Sequence, residues 1–388
     1  MVKSSAIIDY LIIICLYIAS VVSFNDQLNF LALYVIIPFA CFLTILRYQL
    51  RTGYSFKWLI LLYVWILFTC LFAEYLDLAF RQLKQIIGCV ILSYIMTQNA
   101  RKTHMIPWLY GVYILMFISS VYYALTNILD TAYDIGTDRL DDDKLNANTL
   151  AYYLLYTIFS VYILADIIKG KWLSRILKII FWLMLPVAFF VAIFTASRQV
   201  ILTSIPLILM LFYVRYIKGV RRRNLLLPVV ILLLAGSFIF PKFIEIYDNS
   251  YLKERNELDL SDDSRMLLLK DAIKVGFQHP IVGVGPGNYI QYSYNKHISH
   301  CSYTELFANS GFLALLLYIG LIYTFMRRQL IRYRRSRDSL FLSLIVFGVI
   351  YVVDNVFFVF YNSLWLISFF VLVSAHSDTY YKICHIES

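Results

Sequence analysis

Apolar runs of roughly twenty residues recur along almost the whole chain. Each is long enough to cross about 30 Å of hydrocarbon as a helix. Read this way, the spans are 6–23, 28–46, 57–73, 83–97, 106–127, 149–168, 173–195, 199–217, 225–241, 303–326, 339–356 and 359–376. With 61% hydrophobic and 15% charged residues in 388, a water-soluble domain has too little interior to hide this surface. The period-two alternation of a membrane β-barrel is absent. The expected fold is an all-α integral membrane protein, one polytopic domain over 1–388 with about 12 transmembrane helices. Lys3 ahead of Ile7–Ala19 looks like a signal peptide. Further spans follow at once, which favours an uncleaved first helix.

The net charge of +10 does not point to nucleic acid, because the cations are distributed by loop. Arg47/Arg51/Lys57, Arg101/Lys102, Lys169/Lys171/Arg175, Arg215/Lys218/Arg221–Arg223 and Arg327–Arg337 fall in alternate loops. The loops between them hold most of the acid, in Glu74/Asp77, Asp130–Asp143 and Glu245–Asp271. This is the positive-inside pattern with both termini cytoplasmic, and it implies contact with anionic membrane lipid. The six cysteines contain no CxxC, so no disulfide framework or zinc site is expected. Cys301 adjoins His300, but neighbours on a helix diverge by about 100°, which argues against a thiol–imidazole pair.

Two outer segments stand out. The first, 129–148, is acidic and reads as a solvated loop; its Asp141–Asp143 forms a nominal DxD without any nucleotide-binding domain around it. The second, 242–302, lies between spans 9 and 10 and is the large extracytoplasmic loop. Ser261-Asp262-Asp263-Ser264 offers helix caps. Beyond it, Leu269, Ala272, Ile273, Gly276 and Phe277 recur at helical spacing, which predicts an amphipathic helix. Pro280 stops it, Gly283-Val284-Gly285-Pro286-Gly287 makes a tight turn, and Pro286 opens a short helix carrying Tyr289, Tyr292 and Tyr294. The chain then reaches His300 and enters the span beginning near Tyr303.

The string from Ser264-Arg265-Met266 through His279-Pro280-Ile281-Val282-Gly283-Val284-Gly285-Pro286-Gly287-Asn288-Tyr289, followed by His300, Glu305 and Gly311, resembles the O-antigen ligase/polymerase superfamily. Ser197-Arg198, at the outer junction of two earlier spans, is similar to a further element of that family. The likeness covers roughly 190–325. One departure is Cys301, where the family often has Asn or Ser after the histidine. The resemblance implies an integral-membrane glycosyltransferase in the plasma membrane of a bacterium. Its donor would be a polyprenyl-diphosphate-linked oligosaccharide, and its acceptor another glycan or a lipid core. A chain-length regulator is the further partner implied, and no cofactor.

The residues themselves suit this chemistry. A diphosphate leaving group calls for cations, and the planar fork of arginine binds phosphate oxygens in pairs. Arg198 sits at the outer end of a helix with apolar flanks. Arg265 lies in the first turn of the surface helix, against the local dipole. Arg81 stands at the outer mouth of the fourth span. Each has a plainer reading: snorkelling for Arg198, a salt bridge to Asp262, Asp263 or Asp271 for Arg265, an interface anchor for Arg81. His300 is the candidate general base, since a helix N-terminus favours neutral imidazole. His297 is a serious rival and His279 a weaker one. Ser197, Gly283, Gly285, Tyr303 and Glu305 are the residues expected to position loop and substrate, and no metal site is expected. Arg198 and Arg265 are expected to converge on one diphosphate.

The leading function is then polymerisation of polyprenyl-linked repeat units of a surface polysaccharide, with ligation to a lipid core or other acceptor as the alternative. A lipid-linked glycan flippase is the rival from another class. It would require buried mid-span charges and pseudo-symmetric halves, and neither is evident.

Overall fold

The computed structural model describes residues 4–25, 28–48, 53–130, 147–217, 244–253 and 264–386. The expected span 225–241, the acidic residues Asp134–Asp143, and Asp262 and Asp263 fall outside them. Every other expected span has a helix. They are α1 (Ser4–Val22), α2 (Asn29–Arg47), α3 (Tyr54–Phe72), α4 (Leu76–Asn99), α5 (Ile106–Asp130), α6 (Ala147–Ile167), α7 (Lys171–Phe194) and α8 (Arg198–Ile217). After them come α9 (Ser264–Gln278), α10 (Tyr289–Tyr292), α11 (Ser302–Ser336), α12 (Ser339–Asp354) and α13 (Leu364–Ile386). No strand occurs among the described residues. Eight helices, α2 to α8 and α11, are long and apolar enough to cross a membrane; the apolar stretch of α1 and the whole of α12 are shorter. Eight is the count among the described residues, which omit the expected span 225–241.

Polar residues punctuate the helices. Gly53 and Gly170 sit in extended conformation just before α3 and α7. Asp338 Oδ1 accepts the Leu340 amide at 2.8 Å where α12 begins. Arg337 closes α11 in the left-handed conformation, its amide donating to Tyr333 O. Within α8 the helix breaks at Thr203, a few residues before Pro206.

The chain divides into two compact units. One comprises Met1–Leu115, Leu260–Arg337 and Tyr351–Ser388; the other comprises Met116–Asp259 and Asp338–Ile350. In the first, α4 packs on α13, α3 on α11, and α9 on α11. Its core is aromatic-rich, with Tyr110, Tyr318, Phe325 and Phe360 fully buried. At one end of it Arg47 chelates the buried Asp9 (2.8 and 3.3 Å), and Arg328 and Arg332 both bind Asp378. In the second unit α6 packs on α7 and α8. There Arg215 joins Asp166 at 2.7 Å and lies over the Tyr162 ring.

The element that organises the first unit is a break in α11. Gly311 adopts φ +76° inside the helix, a conformation open to glycine and costly for other residues. The break interrupts the intrahelical pairing of Ala308 O with Phe312 N–H. Both groups are taken up by the Pro280–Val284 turn: Val284 N–H donates to Ala308 O at 2.9 Å, and Phe312 N–H donates to Pro280 O at 2.8 Å. Trp65 Nε1 donates to Ser310 O at 2.9 Å. Irregular backbone in a membrane helix persists where protein partners satisfy it in this way.

Candidate active site around the helix break

The loop that carries the candidate residues is built onto α11 and onto the α3–α4 junction. On α9 the buried face is Leu268, Ala272 and Val275, joined by Val284, Tyr289 and Ala308. This corrects the expected stripe: Phe277 is 73% exposed, and Ile273 and Leu269 are only half-buried. The seam is rotated because Gly276 lets the Phe307 ring lie directly on the α9 backbone. Phe277 is left beside that ring edge-on, with centroids 5.3 Å apart.

The glycines of the turn mark backbone-to-backbone approaches. A Cβ on Gly283 would overlap the Asn309 carbonyl, and one on Gly285 would lie 2.5 Å from Ala73 Cα. One on Gly287 would lie 2.8 Å from Leu78 O and 3.1 Å from Gln82 Oε1, on the turn of α4 that bears Arg81. Asn288, fully buried, locks this docking. It accepts the Tyr75 amide (2.7 Å) and donates to Tyr75 O (3.1 Å) and Pro286 O (3.0 Å). Tyr289 is a buried strut, with its amide on Asn309 Oδ1 and its hydroxyl on Leu268 O; burial raises its pKa above the usual phenol value. It has no face left for a sugar. Tyr292 donates to Glu74 Oε2 at 2.9 Å. Tyr303 donates to Val352 O at 3.0 Å.

His300 is half-buried and has φ +54°. It lies outside the first turn of α11, because the N-cap is Cys301 and the helix starts at Ser302. Both its neighbours, Ser299 and Cys301, are buried. Glu305, 1% exposed, turns its carboxylate inward. It accepts the Ser299 amide at 2.7 Å, Asn309 Nδ2 at 3.0 Å and the Tyr361 hydroxyl at 2.8 Å. One buried carboxylate thus ties the turn bearing His300 to α11 and to the α12–α13 junction. Three hydrogen bonds from three segments fix this carboxylate against the loop. Thr304 and Ser299 link their hydroxyls at 3.1 Å, and Ser302 Oγ bonds Phe358 O and the Phe360 amide. His297 and His279 are exposed.

Arg265, half-buried, is the second residue of α9. Arg81 is exposed on α4. These two, with His300, Glu305, Tyr303, Gly283 and Gly285, belong to the first unit; Ser197 and Arg198 belong to the second. Arg198 opens α8 and is half-buried. Ser197 is its N-cap in position, but its buried hydroxyl makes no capping bond. Ala196 just before has φ +44°. Among the described residues no three His, Cys, Asp or Glu side chains group as a metal site. Beside the turn an apolar cleft of about 450 Å³ opens between Trp65, Phe277, Ile281, Phe307, Phe312 and Leu313.

Three supports were not singled out from the sequence: Asn288, Asn309 and Tyr361. The first two carried a signal. Asn288 closes the Pro-Gly turn, and Asn309 stands one helical turn from Glu305. Tyr361 carried none, because its partner is 56 residues away.

Many apolar helices, one of them broken and braced by a polar turn, are the make-up of a multi-pass membrane protein. Residues 179–319 match the family model described as O-antigen ligase, which supports the resemblance to the O-antigen ligase/polymerase superfamily. The matched stretch contains every candidate site residue except Arg81. No curated protein matches the chain.

Proposed function

We propose that this protein is a glycosyltransferase of the bacterial plasma membrane that polymerises oligosaccharide repeat units delivered on a polyprenyl diphosphate at the outer face. The observation that carries this reading is the family match over the stretch containing the braced His300 turn. In the proposed step an acceptor hydroxyl attacks the anomeric carbon of the donor. The bond from that carbon to the diphosphate oxygen breaks, His300 takes the hydroxyl proton, and polyprenyl diphosphate leaves with its charge met by Arg198, Arg265 and Arg81. The apolar cleft beside the turn offers a wall for the isoprenoid chain. The ligase reading shares every part of this step except the acceptor.

Purified protein given lipid-linked repeat units alone tests the reading. Longer glycan on the same lipid identifies a polymerase. Product that forms only when a lipid core is added identifies a ligase. No product in either case defeats the proposal. The arginines are proposed to do the work of a metal, so the same assay in excess EDTA should proceed at an unchanged rate. Loss of activity restored by magnesium or manganese would transfer that work to a metal site, with Asp141 and Asp143 the first residues to test.

A further inference from the structure

Glu305 grips His300 from both sides. Its Oε2 accepts the Ser299 amide at 2.7 Å, and its own amide donates to Cys301 O at 3.0 Å. The place of the imidazole therefore follows the place of Glu305. The other carboxylate oxygen, Oε1, takes Asn309 Nδ2 at 3.0 Å and the Tyr361 hydroxyl at 2.8 Å. Asn309 stands one turn along the same helix and moves with Glu305. Tyr361, buried, belongs to the α12–α13 junction. Among the described residues it is the only donor to this carboxylate from outside α11 and the His300 turn. The start of α11 does not depend on it. Ser302 already ties that start to the same junction, with its amide on Asn355 O at 2.9 Å. The Ser302 hydroxyl adds bonds to Phe358 O at 2.8 Å and the Phe360 amide at 3.1 Å. Loss of the Tyr361 hydroxyl would leave the helix start in place and free the carboxylate to rotate away from the Ser299 amide.

We propose that Tyr361 is a positioning residue for the proposed transfer, acting on His300 through Glu305 and Ser299; this rests on the reading of His300 as the base. The Tyr361 hydroxyl sets the carboxylate, and the carboxylate sets the Ser299 peptide. That peptide carries His300, which leaves it in left-handed backbone at φ +54°. A base moved by about 1 Å no longer meets the acceptor hydroxyl in a reactive geometry. Tyr361 is buried behind Glu305, so its effect falls on kcat and not on the KM for donor.

Tyr361→Phe deletes the hydroxyl at nearly constant volume. With the purified full chain and lipid-linked repeat units, kcat should fall about tenfold or more and KM should stay unchanged. In a Glu305→Gln background the same substitution should lower kcat no further, because the link to Ser299 is already weakened. Losses that multiply in the double variant would overturn the route through Glu305. A second measurement needs no substrate and decides where Glu305→Gln does not fold. N-ethylmaleimide labelling of the full chain in detergent is followed by mass spectrometry of each cysteine peptide. Cys301 adjoins His300 and is 3% exposed; Cys89 is 0% exposed, with its thiol 3.9 Å from Ser363 O at the same junction. Tyr361→Phe should speed labelling of Cys301 about tenfold by local opening of the turn and leave Cys89 unchanged. Faster labelling at both cysteines or at neither, or failure of Tyr361→Phe to fold, would make Tyr361 a structural part of the junction and overturn the proposal. Absence of transfer by the parent protein would defeat the proposed function itself, whereas full kcat in Tyr361→Phe defeats the positioning role alone.

Discussion

His300 occupies left-handed backbone, which few residues other than glycine adopt, although histidine and asparagine are enriched there. Holding it costs about 1–3 kcal/mol, and the Glu305, Ser299 and Thr304 bonds around it supply the restraint. Ala196, two residues before Arg198, is held in the same region. Two candidate side chains are thus delivered by strained turns. Chemistry and backbone strain can be separated by substitution. His300→Ala and His300→Asn should both fold and both lose transfer by roughly 10²–10⁴-fold, because asparagine keeps the backbone preference without the base. Measured transfer by His300→Asn within a few-fold of the parent would assign the residue a backbone role alone. His297→Ala, at an exposed site, should retain activity; its loss would move the base there. For the arginines the fork matters as much as the charge. Arg198→Lys and Arg265→Lys should each reduce kcat/KM for the lipid-linked donor about 10–100-fold, nearly as far as alanine. Full activity in both lysine variants would remove the bidentate phosphate role.

At the scale of elements, the break in α11 and the Pro280–Asn288 turn form one structure. Each supplies the hydrogen bonds that the other lacks. The sequence marked both parts, through the Pro-Gly spacing and Gly311, but not that they pair with each other. That pairing depends on one carbonyl and one amide freed by the break, Ala308 O and Phe312 N–H. The face of α9 was misread by about one position because a glycine, Gly276, sets how close α11 approaches. Hydrophobic spacing counts side chains and has no signal for an absent one. Gly311→Ala would force a positive φ on alanine and drive its Cβ into Ile281 O. It should lower stability by about 2–4 kcal/mol, read as a lower midpoint of thermal unfolding in detergent. Gly170→Ala is the matched control: its φ is −73° and the nearest atoms lie 3.9 Å away. Equal midpoints for the two variants would refute the account of the break.

For the whole molecule, the class was legible because hydrocarbon thickness imposes a length on each helix, and composition alone reports it. The number of crossings was less legible, since α12 is short and α13 turns polar after Ser374. What no local pattern reveals is partnership at long separation. Glu305 reads as one acidic residue near a helix start, yet Tyr361 and Ser299 make it the fastener of the His300 turn. Orientation in the membrane is the remaining property of the whole chain, and the charge pattern makes it testable. α13 leaves the junction that contacts Glu305 and runs to Cys384, so Cys384 lies at the end opposite His300. Cys384 is exposed, Cys89 and Cys301 are buried, and Cys15, Cys41 and Cys70 are half-buried within helices. Cys70 closes α3 on the His300 side, so the assay uses a Cys70→Ser background. If the basic loops are cytoplasmic, a membrane-impermeant maleimide should label inside-out vesicles and leave intact spheroplasts unlabelled. Cys384→Ser should abolish the signal. Labelling of intact spheroplasts at Cys384 would put the His300 turn in the cytoplasm, where a donor presented on the outer face could not reach it, and the proposed reaction would fail with it.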